Sequence, residues 1–472
     1  MPARAVADPL AAVRRIAHED AGIITSISVH NRPLWFSPMV FATVRGNAHA
    51  LVADQIRSFR DALGSRAPIV PGAARKSAFT SSLSGSGIGF TEADAVLRAV
   101  GEAVERYAAK NGPVGAKLVH GSFDELAAGR DMVPLERWNH AGPDEACCAN
   151  PADARHRLVR LRGDTPVNWM EVRSLATGRP VLAPTSHVLF GSFRHLPGDT
   201  LVAESISTGL ASHSSRERAA LSGLCEVIER DAFMGMWAKK LRPPRLSRES
   251  IAAVRGPVRD MAVALERTEF RLVVNDLTTD LGIPVFLATL VAGQAPYAIV
   301  GAGCHPDPDI ALEKAIAECY MSLVGYAIFD GFDNDGVELA ADADVTTMHD
   351  HGKFYRANDL NHRLAFYLDA PEKDYRRQDH AAASAMDLDG LVRRLVECGF
   401  EPLVHDLTSA EIGDAGWHVV KVLVPGLLPL YCREFNKPLG CERLARYGRG
   451  EILPPGPDTA RTAFNEHAHP FP

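Results

Sequence analysis

The chain has 472 residues, 46% of them hydrophobic and 23% charged, and a formal net charge of −7 at pH 7. That balance suits a soluble globular protein and argues against a broad nucleic-acid-binding face. No apolar run reaches the roughly 18 residues of a membrane-spanning helix, and Met1 to Asp20 lacks the apolar centre of a signal peptide. A cytoplasmic protein is expected, with neither nucleic acid nor membrane as a partner. Eight cysteines in so long a chain, without Cys-x-x-Cys spacing, make neither a disulfide framework nor a zinc site.

In chain order, Pro9 to Glu19 has a helical pattern, Ile23 to Val29 and Val40 to Val44 read as strands, and Ala48 to Leu63 is a helix candidate. Gly85-Ser86-Gly87-Ile88-Gly89 then reads as a turn whose amides could cradle a phosphate. It lacks both the dinucleotide glycine spacing and the P-loop lysine. Thr91-Glu92-Ala93-Asp94 caps a helix running to about Lys110. On it lies Glu102-Ala103-Val104-Glu105-Arg106.

Leu158 to Leu161 and Val167 to Val172 read as strands, and Pro180 to Gly191 as an edge or bent strand. The turn Ser207-Thr208-Gly209 precedes a second helix, in which Leu221, Leu224, Val227, Ile228 and Ala232 form a buried stripe. Glu226, Glu229 and Arg230 share a neighbouring stripe and repeat the Glu-x-x-Glu-Arg pattern. One such pattern is ordinarily a solvated helix face. Two, each behind a Gly/Ser turn, supply four carboxylates that could converge on cations from facing helices.

A weaker repeat follows. Met261 to Glu269, Phe270 to Asp276 and Pro284 to Val291 read as helix, strand, strand, and so do Leu388 to Cys398, Glu401 to Asp406 and His418 to Val424. The loops begin alike, Asp276-Leu277-Thr278-Thr279 and Asp406-Leu407-Thr408-Ser409. This predicts an α/β fold with duplicated mixed layers. Between the two units, a Gly301-Ala302-Gly303 turn leads into a helix over Ile310 to Val324, capped by Asp309 or a neighbour. Lys314 and Glu318 on it, taken alone, read as a surface ion pair. The chain ends in a Pro-rich stretch closing on His467-Ala468-His469-Pro470-Phe471-Pro472, suited to docking in a groove.

Together and in this order, these motifs resemble the YcaO-domain family, in particular its azoline-forming cyclodehydratases (the TOMM/LAP D-protein type), over about residues 75 to 472. The resemblance implies a YcaO-like fold with an ATP site between three helices. It divides the chain into an integrated N-terminal region (1–75), an ATP-binding domain (76–455) and a C-terminal tail (456–472). It implies ATP and Mg2+ as cofactors, with Glu102, Glu105, Glu226 and Glu229 facing the metal. Arg106, Ser207, Ser214, Arg230, Lys314 and Glu318 would bind the nucleotide. The Pro472 carboxylate, with His467 or His469, would lie near the reacting amide. Departures are Gly85-Ser86-Gly87 where the family usually has Gly-Lys-Gly, and Ser214 and Arg218 where an Asn and a Glu often stand.

The reaction implied is attack by a Cys, Ser or Thr side chain of a ribosomally made precursor peptide on the preceding amide carbonyl. Phosphorylation of the amide oxygen and loss of phosphate then leave a thiazoline or oxazoline. No leader-binding domain is evident before residue 75, so a leader-peptide-binding partner (C-protein or ThiF-like) is expected, and a homodimer is compatible with the resemblance. Competing readings are a thioamide-forming enzyme using external sulfide, a non-catalytic peptide- or partner-binding scaffold, and, from the glycines alone, a nicotinamide oxidoreductase.

Overall fold

The computed structural model describes residues 10–19, 22–31, 34, 36–47, 83–110, 117–142, 157–190, 200–292, 298–329, 339–453 and 464–471. The expected helix over Ala48 to Leu63, the Cys147-Cys148 pair, the opening of the Pro-rich stretch and Pro472 lie outside them. The chain forms two compact units. The first comprises Met1–Lys117, Leu210–Ala219 and Asp406–Lys421, and the second Leu118–Gly209, Ala220–His405 and Val422–Pro472.

In the first unit, Ile24–Asn31, Val40–Gly46 and Gly85–Gly89 form an antiparallel sheet with Val40–Gly46 in the middle. The Gly85-to-Gly89 segment is therefore a strand, not the expected turn. Its glycines permit a close approach. A Cβ on Gly85 or Gly87 would overlap the carbonyl oxygens of Ala99 or Ala95. The helix Glu92–Lys110 thus lies directly on the strand, presenting the small row Ala95, Ala99 and Ala103. Thr91 Oγ1 caps it by accepting the Asp94 amide at 3.1 Å. The strand Leu210–His213 pairs antiparallel with residues 418–421 of His418–Leu423.

The second unit repeats this arrangement. Val285–Ala292 pairs antiparallel with Phe270–Asp276 on one side and Ala298–Cys304 on the other. Gly301 and Gly303 thus also lie in a strand, and the helix Pro308–Phe329 packs on it. A Cβ on Gly303 would overlap the Ala311 carbonyl oxygen. Asp307 Oδ1, accepting the Asp309 amide at 3.0 Å, supports that helix's start. The predicted loop repeat carries matching hydrogen bonds. Thr278 N–H donates to Asp276 Oδ1 at 2.9 Å and Thr408 N–H to Asp406 Oδ1 at 3.0 Å. Leu277 N–H donates to the Val285 carbonyl at 2.8 Å, and Leu407 N–H to that of Val419 at 2.9 Å.

A further sheet of the second unit joins Leu118–Gly121, Val167–Ser174 and Pro180–Pro184, with Leu403 and Val404 on the Arg173–Ser174 end. The expected strand over Pro180 to Gly191 ends at Pro184, where a helical turn, Thr185–Val188, takes over. Leu158 to Leu161, expected as a strand, joins no ladder. Two of its amides go to asparagines, Leu158 N–H to Asn436 Oδ1 at 3.2 Å and Leu161 N–H to Asn139 Oδ1 at 2.8 Å, and Val159 N–H donates to the Leu201 carbonyl at 2.8 Å.

From Ala220 onward the helix Arg216–Ala238 belongs to the second unit, burying Leu224, Ile228, Phe233, Met236 and Trp237. One carboxylate interrupts that stripe. Asp231, fully buried, accepts Arg443 Nε at 2.8 and 2.7 Å, the Tyr447 hydroxyl at 2.9 Å and the Leu428 amide at 2.9 Å. Its spacing from Leu224 and Ile228 already places it on the buried face, although the sequence reading passed it over. Among the described residues no helix is long and apolar enough to cross a membrane. The strand–helix contact predicts that Gly303→Ala lowers stability by about 1–3 kcal/mol in chemical denaturation. An unchanged midpoint would mean that the helix does not rest on the strand backbone.

Candidate active site

The acidic helices hold their carboxylates by a shared device. In the first unit, Glu102 Oε2 accepts the Ser86 amide at 2.8 Å, and its other oxygen faces Arg106 at 3.5 Å. Glu105 Oε1 accepts the Ser212 amide at 2.8 Å. In the second unit, Glu226 Oε2 accepts the Gly209 amide at 2.9 Å while Oε1 faces Arg230 at 3.5 Å. Glu318 Oε2 accepts the Ala302 amide at 3.0 Å. Donor and acceptor are 16 residues apart in both Ser86–Glu102 and Ala302–Glu318. In each case one oxygen is fixed by a backbone amide, from a strand or, for Glu226, from the turn at Gly209, which sets the direction of the carboxylate group.

Within the second unit, Glu226, Glu229, Arg230, Lys314 and Glu318 form one electrostatic cluster. Glu229 is 4% exposed. Burial pushes its pKa up to about 7; Arg230 and Lys314 hold it down, while Glu318 and Glu226 push it further up. Glu318 is also raised, first by burial. Burial works against the Lys314 charge, but its anionic neighbours, Glu229 and Glu318 among them, keep it protonated. Lys314 reaches the Cys304 carbonyl at 3.4 Å, so the expected surface ion pair with Glu318 is instead part of a half-buried cluster. Three carboxylates against two cations make a site short of positive charge.

The other expected residues fall as follows. Ser207 is half-buried ahead of the central helix. Ser214, exposed, turns to its own neighbour, its amide donating to His213 Nδ1 at 2.8 Å. His469 is fully buried, its ring stacked on His351 with centroids 3.7 Å apart and its Nε2 2.9 Å from the Tyr431 carbonyl. Burial holds its pKa well below the ordinary histidine value, so the ring is neutral at neutral pH. His467 is partly exposed, 3.7 Å from Asp342. Phe471, which the sequence reading did not single out, lies under the Arg230 guanidinium, 4.0 Å from carbon to ring centroid.

The profile of the YcaO cyclodehydratase family, described as ATP- and Mg2+-binding, matches residues 86–428. The chain belongs to this family, and ATP and Mg2+ are the cofactors that membership brings. An uncharacterized protein from the tfuA 3′ region of Rhizobium leguminosarum bv. trifolii is 31% identical over 247 residues, 50% of this chain and 54% of that one. The fold is similar to that of a heterocyclase solved in complex with substrate and cofactor. The TM-score is 0.71 at 22% identity, over 98% of this chain and 57% of the other. It is also similar to YcaO from Methanopyrus kandleri bound with AMPPCP and Mg2+, with TM-score 0.54 and 19% identity over 88% of each chain. The E. coli microcin synthetase McbBCD complex gives a TM-score of 0.57 at 12% identity, over 94% of this chain and 96% of the other. The chain thus spans little more than half the length of the Rhizobium protein and of the heterocyclase, 54% and 57%.

The residues present fit these cofactors. Mg2+ prefers hard oxygens, takes one or two carboxylates, and completes its octahedron with phosphate oxygens and water. It needs no all-protein cage, and among the described residues no three His, Cys, Asp or Glu side chains form one. Arg230 Nε and Nη1 are buried with no hydrogen-bond acceptor among the described residues.

The Glu229 shift fixes a sign. Its folded pKa lies above the unfolded value of 4.5. The stability it contributes is therefore complete below pH 4.5 and is lost as pH rises to about 7. In nucleotide- and metal-free buffer, Glu229→Gln should escape this loss. Its advantage over the native chain should grow through that window to at most ~3 kcal/mol, then level off. Parallel melting-temperature profiles of the two proteins would contradict the cluster's charge imbalance.

Proposed function

We propose that this protein is an ATP- and Mg2+-dependent cyclodehydratase acting on the backbone of a ribosomally made precursor peptide. The observation that carries the reading is the second unit's cluster, in which Glu226, Glu229 and Glu318 outnumber Arg230 and Lys314 in a chain of this family. A metal-bound polyphosphate suits such a cluster, because divalent cations offset the carboxylates while Arg230 and Lys314 meet phosphate oxygens. Glu102 and Glu105, each tied to a strand amide, are proposed as further Mg2+ ligands, with Arg106 beside Glu102. Ser207 and Ser214 are proposed nucleotide contacts.

Bound ATP would supply the phosphoryl group that makes the amide oxygen a leaving group. This chain's residues do the positioning and charge neutralisation. Backbone amides hold one oxygen each of Glu102, Glu105, Glu226 and Glu318, which keeps the other directed. Arg230 spans Glu226 and Glu229 and keeps two like charges at fixed separation. In the net reaction a Cys, Ser or Thr side chain closes on the preceding amide carbon, and the amide oxygen leaves with the phosphate. Each ring costs the peptide one water. Pro472 and the partly exposed His467 are the proposed residues nearest the reacting amide, whereas the burial of His469 favours packing. A leader-binding partner protein is proposed to deliver the peptide, supported by likeness to a solved synthetase complex.

Glu102→Ala and Glu229→Ala should each lower Mg2+-dependent ATP turnover by about 100-fold or more while leaving the protein folded. Steady-state phosphate release and far-UV circular dichroism measure both properties. Turnover within two-fold of the native protein in both variants would refute the assignment. Product mass then identifies the chemistry: loss of one water per modified residue for a ring, or exchange of oxygen for sulfur for a thioamide.

A further inference from the structure

We infer that Phe471 is a positioning residue for Arg230, acting through the face of its ring. The inference rests on the nucleotide-site reading above only for its consequence, not for its geometry. Phe471 is 3% exposed. Its ring packs against Phe233, with centroids 4.9 Å apart and planes tilted by 59°. Phe233 lies one turn beyond Arg230 on the central helix, and the Arg230 guanidinium carbon lies 4.0 Å from the Phe471 centroid.

Arg230 needs such a support. Its side chain is 12% exposed, and it reaches its carboxylates only at 3.5 Å to Glu226 and 3.3 Å to Glu229. Both distances are long for charge-assisted hydrogen bonds. Its Nε has no hydrogen-bond acceptor among the described residues, and its Nη1 meets Glu229 as an ion pair without hydrogen-bond geometry. The electrostatic partners therefore fix the plane of the guanidinium loosely, and the aromatic face beneath it supplies what they do not.

The ring is itself held from several directions. Trp237 Nε1 donates to the His467 carbonyl at 3.3 Å, the Tyr355 hydroxyl to that of Ala468 at 2.7 Å, and the Ala468 amide to Asp342 Oδ1 at 2.7 Å. Asn465 N–H donates to the Ala238 carbonyl at 2.8 Å, and His351 Nδ1 lies 2.8 Å from the His469 carbonyl. So many tethers on residues 465–469 leave the Phe471 ring little freedom. The C-terminal segment thus acts on the acidic helix through the face of an aromatic ring and need carry no proton to do so.

The test uses the full chain with Phe471→Leu and with pentafluorophenylalanine at position 471, which keeps the ring's shape but reverses the charge of its face. In nucleotide-free protein, the Arg230 Nε–H NMR signal, assigned by its loss in Arg230→Lys, should show an aromatic ring-current shift. Phe471→Leu should abolish that shift. An unshifted signal in the native protein overturns the positioning role whatever the nucleotide data show. Calorimetry with Mg2+ and AMPPCP should then give about five-fold weaker binding for both variants. No further loss should appear when Phe471→Leu is added to Arg230→Met. Native-like binding by the pentafluoro protein overturns the role of the ring face, even if Phe471→Leu fails to fold. A shifted signal in a native protein that binds no AMPPCP supports the positioning role and refutes the nucleotide reading instead.

Discussion

The structure depends on helices lying against glycine-containing strands closely enough for a helix carboxylate to accept a strand amide. Ser86 with Glu102 and Ala302 with Glu318 are two instances at the same 16-residue separation. The amide removes one acceptor site from the carboxylate and gives it a fixed direction, while burial raises the cost of leaving its charge uncompensated. A row of acidic residues on a solvated helix would have neither property. Close packing therefore creates both the order of these groups and their shortage of positive charge.

The device also accounts for a departure from the family pattern. Residue 86 contributes its backbone N–H, not its side chain, to holding Glu102. A serine there, in place of the usual lysine, leaves the tether intact and removes one positive charge from that side chain. The glycines flanking it are less negotiable, because any side chain would occupy the volume of the helix backbone.

Much of this was legible in the sequence. The helices around Glu102, Glu226 and Glu318 show as apolar residues at three- and four-residue steps, Thr91 marks one start, and the cap expected at Asp309 or a neighbour is Asp307. The buried strands Phe270–Asp276 and Val285–Ala292 announce themselves as apolar runs between turn residues. The Gly-x-Gly strands did not. Where the helix-facing positions are glycine, the contact is backbone against backbone and no side-chain alternation records it. Leu158 to Leu161 misled in the opposite sense: the expected strand is absent, and asparagine side chains take two of its amides. The electrostatic character of Glu229 and Lys314 was also hidden, since an i,i+4 spacing looks the same on a solvated face and in a crevice. The Phe471–Arg230 contact spans most of the second unit in sequence, and no local pattern could announce it.

The stacked pair His351 and His469 has a bearing on solution conditions. Burial lowers the His351 pKa from 6.5 to about 4 and holds His469 lower than usual as well. The stacked pair is therefore uncharged at neutral pH, and added salt has no ionic attraction between the two rings to screen. Acid does reach it. As pH falls below 6.5 towards 4, the unfolded chain takes up protons that the folded pair resists. The grip of that pair weakens over that range, so acidity acts on the stacked rings, while the contacts of Ala468 and His467 with Asp342 remain open to salt.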